Sequence, residues 1–170
     1  AMRDATDACT RFAIDHISSL PDQPAWDLGG ARAVADGFRE PPPLGAHPIA
    51  ALLERFATAV PKSRNTASPG YLAYIPGGGL YPAALGDYLA AAVNRYVGVW
   101  HAAPALVQME VTAIDWLREL VGYPAGAGGI LTSGGSMSNL IALVTARRTR
   151  LGDDFRDAVL YFSEESHHSI

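Results

Sequence analysis

Six prolines between residues 21 and 48 limit what the early part of this chain can fold into. Each proline removes a backbone N–H donor and fixes φ, so the run excludes a continuous helix or sheet here. We predict an extended arm, with one short turn of helix around residues 31–38. An arm of this kind has no apolar layer of its own, so it must pack on another surface.

Apolar residues recur at helical spacing on both sides of this arm. One helix is predicted over residues 3–19, ended by Pro21, and a second over residues 49–57, ended near Pro61. Because these elements bury little surface alone, we expect residues 1–75 to pack on another subunit or a larger domain.

Three more helices and one strand are predicted downstream. Pro82 and Pro104 open two of the helices, and a glycine-rich loop opens the third. Their apolar stripes predict faces that pack on a core. The apolar run 158–162 has the length of a strand buried on both faces. Ligands collect at the carboxyl ends of strands in open α/β sheets, so the polar residues 163–169 lie at a suggestive position.

Composition excludes several kinds of partner. About half of the 170 residues are apolar, and the net charge of −4 gives no reason to expect nucleic acid or an anionic membrane. The single Cys9 excludes a disulfide framework and a cysteine-based zinc site, and we predict no metal. No apolar run is long enough for a transmembrane helix and no signal peptide is recognisable, so we expect a cytoplasmic protein.

The stretch 129–139 reads Gly-Ile-Leu-Thr-Ser-Gly-Gly-Ser-Met-Ser-Asn and leads into a helix. The free N–H groups of a first helical turn, with the hydroxyls of Thr132, Ser133 and Ser136, suit an anion such as phosphate. An ordinary connection with a serine N-cap has the same composition. Because the lysine of a P-loop is absent, the loop alone favours that second interpretation.

Three consecutive glycines, Gly77–Gly79, interrupt a segment rich in aromatic residues. Ordering them costs entropy, which a chain accepts where its backbone lies close to a ligand or to another backbone. The residues alone favour close approach to another backbone. They likewise favour a surface or capping role for His167.

Five stretches together carry a family resemblance. They are Tyr74–Asp87, Trp100 with Ala103–Ala105, Glu110 with Asp115–Leu117, Leu131–Ser136 with Asn139, and Ser163–His167. In this order and spacing they resemble the pyridoxal-phosphate-dependent amino acid decarboxylases, in the group that includes aromatic-L-amino-acid decarboxylase. The resemblance covers most of the chain from about Pro48 onward.

The resemblance implies an α/β fold, that of the fold-type-I PLP-dependent enzymes, working as a homodimer. Residues 1–75 would form an N-terminal helical arm that wraps onto the partner subunit. Residues 76–170 would begin the large, mostly parallel-sheet domain that binds pyridoxal 5'-phosphate (PLP). A wrapping arm agrees with the expectation that residues 1–75 pack on another subunit or a larger domain.

The same resemblance implies residue roles at the cofactor. Gly135 and Ser136 would bind the cofactor phosphate, Ser136 through its hydroxyl and both through backbone N–H groups. His167 matches the histidine that stacks on the pyridine ring, where an imidazole could also transfer a proton to the substrate carbon. The neighbouring His168 is predicted to point elsewhere and to take no part in catalysis.

Substrate binding is implied for four residues. Tyr74, Pro76 and Gly77 match the region that lines the substrate pocket, and Trp100 falls where the family places aromatic residues near the dimer interface. Differences from the family's common residues, such as Ser68 in place of histidine, concern substrate choice more than cofactor binding.

The reaction also needs a lysine that holds the cofactor as a Schiff base and a carboxylate that keeps its ring nitrogen protonated. The only lysine is Lys62, which lies in a polar linker. In the family both groups lie beyond the position of Ile170. We therefore expect a complementary C-terminal part that carries the lysine, and no decarboxylase activity from this segment alone.

The function implied is decarboxylation of an L-amino acid to the amine and carbon dioxide. The aromatic-rich segment 71–81 favours an aromatic substrate. Two alternatives stay open: a PLP-dependent aldehyde synthase of the same fold, and a non-catalytic dimerisation module that kept the fold without the lysine.

Overall fold

The computed structural model describes all 170 residues, and its regular structure is entirely helical. The α-helices are α1 (Met2–Ser19), α2 (Ala31–Asp36), α3 (Ile49–Ala59), α4 (Tyr81–Val93), α5 (Pro104–Leu120) and α6 (Gly135–Leu151). Short 3-10 turns occupy Leu20–Asp22, Val60–Lys62 and Trp100–Ala102. The chain forms two compact units, residues 1–93 and 94–170. The functional boundary near residue 75 stays a prediction.

The helix predictions are confirmed, and the prolines explain most of the boundaries. α1 and α3 each run into a 3-10 turn that contains a proline, Pro21 and Pro61 respectively. Pro104 occupies the first turn of α5, where its missing N–H costs nothing. The arm between α1 and α3 contains only the short α2, as the proline run requires.

The strand predicted at residues 158–162 is not formed, and the parallel sheet expected around it is not present in this chain. Tyr161 is 90% exposed and its neighbours are also accessible, so the predicted burial on both faces is wrong for these residues. A strand exists only where a second segment pairs with its backbone. No other part of the chain pairs with this run.

Two hydrogen bonds and an aromatic contact join distant segments of the first unit. The hydroxyl of Ser68 donates to the carbonyl oxygen of Gln23 at 2.7 Å, and the amide of Asn65 donates to the Gln23 side chain at 2.8 Å. Phe12 of α1 packs on Phe56 of α3 with ring centroids 5.6 Å apart. These contacts fix the segment after α3 against the start of the proline-rich arm.

The chain buries almost none of its apolar surface. Ser68 is the only buried residue, and the stripe of α5 that was predicted to face a core is open, with Leu120 82% exposed. The accessible surface is 14148 Å², whereas a folded monomer of 18.0 kDa exposes about 8,000 Å². The helices therefore leave their apolar faces exposed in this chain.

None of the helices combines the length and the apolar character needed to cross a bilayer.

Candidate functional site

The loop before α6 leaves a set of backbone donors free. The N–H groups of Gly135, Ser136 and Met137 have no hydrogen-bond partner in the chain, and the first bond of the helix runs from the Ser138 N–H to the Gly134 carbonyl at 3.1 Å. The first turn also contains no carboxylate. Free N–H groups and the positive end of the helix dipole together favour an anion at this position.

The hydroxyls around the loop divide into two pairs. Thr132 Oγ1 and Ser138 Oγ lie 2.6 Å apart, and each is within hydrogen-bond distance of the Gly134 carbonyl. These two hydroxyls hold the loop, so the expectation that Thr132 offers its hydroxyl to an anion is wrong. The hydroxyls of Ser133 and Ser136 have no partner and remain available to a ligand.

The space above the helix start is open. A Cβ atom added at Gly135 would meet nothing within 4 Å, so the chain's own packing does not require glycine there. This contrasts with Gly78, where an added Cβ would lie 3.3 Å from the Cβ of Ala67. Close approach of the Ala67 methyl group thus explains the glycine at 78, whereas the space beside Gly135 is free to take a ligand.

His167 is tied to α6 through a single hydroxyl. Ser169 Oγ lies 2.8 Å from His167 Nδ1, and it accepts a hydrogen bond from Asn139 Nδ2 at 2.8 Å. Asn139 stands one turn after Ser136 on α6. Two hydrogen bonds therefore link the imidazole to the helix whose first turn carries the free donors.

His168 lies against the same imidazole. The two rings have centroids 4.0 Å apart and planes tilted by 34°. The absence of a role for His168 in the chemistry stays a prediction, because contact between the rings leaves its contribution open.

The predicted substrate residues are divided between the units. Tyr74, Pro76 and Gly77 belong to the first unit, and Trp100 lies in a 3-10 turn of the second. Gly77 lines a groove of about 770 Å³ beside α1 and accepts a hydrogen bond from the Thr66 hydroxyl. Their assignment to a substrate pocket stays a prediction.

Tyr74 has an unusual backbone. It adopts φ of 60°, a left-handed conformation that is uncommon outside glycine, and its side chain is 84% exposed. The guanidinium of Arg64 lies 5.9 Å from its ring centroid and 4.4 Å from that of Trp26. A strained, exposed aromatic residue of this kind is typical of ligand-contacting positions.

Sequence reasoning missed Ser169, and it quoted Asn139 only as part of a motif. The available signal was the spacing of Asn139 three residues after Ser136, which puts the two on one helical face. The pairing of Asn139 with a serine 30 residues later could not be deduced from the sequence.

Residues 42–168 match the family profile described as the pyridoxal-dependent decarboxylase conserved domain. The chain belongs to this family. The cofactor of the family is PLP. This chain is 33% identical to an aromatic-L-amino-acid decarboxylase of Bacillus atrophaeus over 92% of its own length and 33% of that protein. It is also 35% identical to an L-2,4-diaminobutyrate decarboxylase of Acinetobacter baumannii, over 56% of its length and 19% of that protein.

A solved structure has the same fold over most of the chain. TDC from Oryza sativa, crystallised with PLP and tryptamine, aligns with a TM-score of 0.73 and 28% identity, over 90% of this chain and 34% of that one. This chain thus spans about a third of the length of the curated relatives and the solved structure that match most of it.

The residues at the start of α6 fit the phosphate group of PLP. They provide three unpaired N–H groups, the free hydroxyls of Ser133 and Ser136, and open space above Gly135. A phosphate dianion needs this combination of donors without a nearby carboxylate. The donor set therefore agrees with the family's cofactor.

Proposed function

We propose that this chain supplies the phosphate-binding and ring-stacking part of a PLP-dependent amino acid decarboxylase. The observation that carries the proposal is the unpaired first turn of α6, to which His167 is tethered through Ser169 and Asn139. Gly135 and Ser136 bind the phosphate with their N–H groups, and the Ser136 hydroxyl adds a charge-assisted hydrogen bond.

His167 lies against the cofactor ring in this proposal. Its Nε2 has no partner in the chain and can hold a proton for transfer at the substrate carbon. The cofactor, when bound, supplies an electron sink for the electrons released as carbon dioxide leaves. The imidazole thus both orients the ring and serves the proton transfer that follows.

We propose that Tyr74, Pro76, Gly77 and Trp100 contribute to the substrate pocket of the assembled enzyme. The named relatives include both an aromatic and a diaminobutyrate decarboxylase, so this part of the family accommodates different side chains. The exposed Tyr74 and Trp100 favour an aromatic L-amino acid here.

The large exposed apolar area supports a homodimer of fold-type-I architecture. In that arrangement residues 1–75 wrap onto the partner subunit, and residues 76–170 belong to the large domain with its parallel sheet. The run 158–162 then acquires the neighbouring strands that it lacks in this chain.

Lys62 is not the lysine that holds the cofactor in this proposal. Its Nζ forms an ion pair with Asp27 at 2.7 Å in the first unit. A complementary part of the enzyme therefore carries the catalytic lysine, and residues 1–170 by themselves are inactive. Borohydride reduction with PLP should leave Lys62 unmodified when the products are mapped by peptide mass.

PLP titration of the full-length protein, followed by visible absorbance, tests the proposed function. Ser136→Ala removes one hydrogen bond to a charged group, worth about 1.5–3 kcal/mol, so the Kd for PLP rises roughly 10- to 100-fold. Thr149→Ala, at the exposed far end of α6, is the matched control and leaves the Kd unchanged. Wild-type affinity in the Ser136 variant would refute the phosphate site.

Product analysis then separates the decarboxylase from its nearest alternative. The proposal predicts carbon dioxide and the amine from an aromatic L-amino acid, whereas an aldehyde synthase releases the aldehyde and ammonia. Absence of any PLP-dependent turnover, with the protein still dimeric, would favour the non-catalytic dimerisation module.

A further inference from the structure

The Nδ1 atom of His167 is approached by two groups of a single residue. The backbone N–H of Ser169 donates to it with N and Nδ1 3.2 Å apart, and the Ser169 hydroxyl oxygen lies 2.8 Å away. The same hydroxyl oxygen lies 2.8 Å from the side-chain nitrogen of Asn139. The three residues form one continuous hydrogen-bond chain from α6 to the imidazole.

The backbone N–H indicates the direction of the other bonds in this chain. An amide N–H can only donate, so its contact favours an Nδ1 that offers its lone pair and carries no proton. The Ser169 hydroxyl then donates to the same lone pair, since a bare nitrogen has no hydrogen to give. Its oxygen is left to accept, and the Asn139 NH₂ group fills that need.

We propose that Ser169 and Asn139 are positioning residues that hold His167 as the neutral tautomer with its proton on Nε2. The inference deepens the proposed function, because it assigns to these residues the orientation of the ring-stacking histidine. Ser169 sets the tautomer directly, and Asn139 acts through it by holding the hydroxyl oxygen. Neither residue has to touch the cofactor or the substrate.

The position of Asn139 adds a mechanical consequence. It lies on α6 three residues after Ser136, so one helical turn carries both the phosphate donor and the anchor of the imidazole chain. A displacement of this turn moves the two together. The histidine thus keeps a fixed place relative to the phosphate site without any direct bond between them.

The test is the tautomer of His167 in the PLP-free, full-length protein, with ¹⁵N-labelled histidine and long-range ¹H–¹⁵N correlation. Wild type is expected to give one bare and one protonated ring nitrogen, with the proton on Nε2. Ser169→Ala keeps the backbone N–H at 3.2 Å but loses the shorter 2.8 Å hydroxyl contact, so the preference for a bare Nδ1 weakens and the two nitrogen signals move towards each other. Asn139→Ala gives a smaller shift in the same direction, since both Ser169 donors remain.

Two further variants separate positioning from a merely structural role. Ser169→Thr keeps the hydroxyl and restores the wild-type pattern. Ser163→Ala removes a hydroxyl that lies near Ser166 and outside the chain to His167, so it leaves the pattern unchanged. With PLP bound, Ser169→Ala lowers kcat roughly tenfold with little change in KM. This is the low end of the loss in activity expected when a functional imidazole loses the partner that orients it.

A proton on Nδ1 in wild type, or an unchanged tautomer in both Ser169→Ala and Asn139→Ala, would overturn the inference. If Ser169→Ala fails to fold, Asn139→Ala and Ser169→Thr decide the question. Because the tautomer is measured without PLP, failure here is distinguishable from failure of the proposed function. A protein that never binds PLP but has the predicted tautomer contradicts only the function, and the reverse result contradicts only the positioning role.

Discussion

Some residues of the α6 loop hold its backbone, whereas others have donor groups with no partner in the chain. The sequence identified the loop, the glycines and the serines, because composition and the helix that follows are local features. It could not separate Thr132 from Ser136, since both carry a hydroxyl near the helix start. The separation depends on the 2.6 Å contact between Thr132 and Ser138, which only the folded backbone creates.

Gly135→Ala tests whether the glycine is kept for a ligand. The added methyl group meets nothing within 4 Å in the chain, and alanine favours a helix over glycine by about 0.5–1 kcal/mol. We therefore expect an unchanged or slightly raised Tm in the PLP-free, full-length protein. If the phosphate occupies the open space beside Gly135, as we propose, the methyl group competes with it and PLP affinity should fall at least tenfold.

Gly45→Ala is the matched control, because an added Cβ there also meets nothing within 4 Å and the position lies in the proline-rich arm. It should leave PLP affinity at the wild-type value. A Gly135→Ala protein that binds PLP as tightly as wild type would mean that the glycine faces no ligand.

The sequence predicts those secondary-structure elements whose signals lie within the element itself. Prolines and apolar spacing lie within each helix, so α1, α3 and α5 begin and end within a few residues of their predicted bounds. The run 158–162 is different, because an apolar segment becomes a strand only when another strand pairs with it. The sequence of this run shows that it is apolar, but it does not show which segment pairs with it.

Contacts between elements also escaped prediction. Lys62 looked like part of a free linker, yet its Nζ lies 2.7 Å from a carboxylate oxygen of Asp27. Hydrogen bonds from Lys62 and from the backbone N–H of Gly29 lower the pKa of Asp27 below its usual 3.8. The contact spans 35 positions, so no local pattern could have revealed it.

The Asp27 pair predicts a pH dependence of local stability in the arm. Because the folded pKa of this carboxyl is lowered, its stabilising contribution is present above pH 3.8 and is lost as the pH falls through the folded pKa. Asp27→Asn should therefore reduce amide-exchange protection around residues 25–29 slightly at pH 5–7. The difference from wild type should shrink as the pH falls below 3.8 and disappear below the folded pKa, after correction for intrinsic exchange rates.

Asp22→Asn provides the control for this measurement, since Asp22 is exposed and forms no ion pair. It should match wild type across the whole range. A gap between Asp27→Asn and wild type that widens on acidification would contradict the assigned direction of the pKa shift.

At the scale of the whole molecule, the chain exposes far more surface than its mass requires. The excess over about 8,000 Å² is accessible surface that a folded protein of this size normally buries. The proline run predicted that residues 1–75 leave apolar surface exposed, and the structure shows the same for α5 and α6. In our proposal, substrate choice and the lysine belong to the assembled enzyme, whereas the phosphate site lies within the second unit.

The most direct test of the central claim is a crystal structure of the full-length protein with PLP. Our account predicts phosphate oxygens about 2.7–3.2 Å from the Ser136 hydroxyl and from the N–H groups of Gly135 and Ser136, with the imidazole of His167 flat against the pyridine ring. A phosphate bound away from the start of α6, or a His167 ring that does not contact the cofactor, would contradict it.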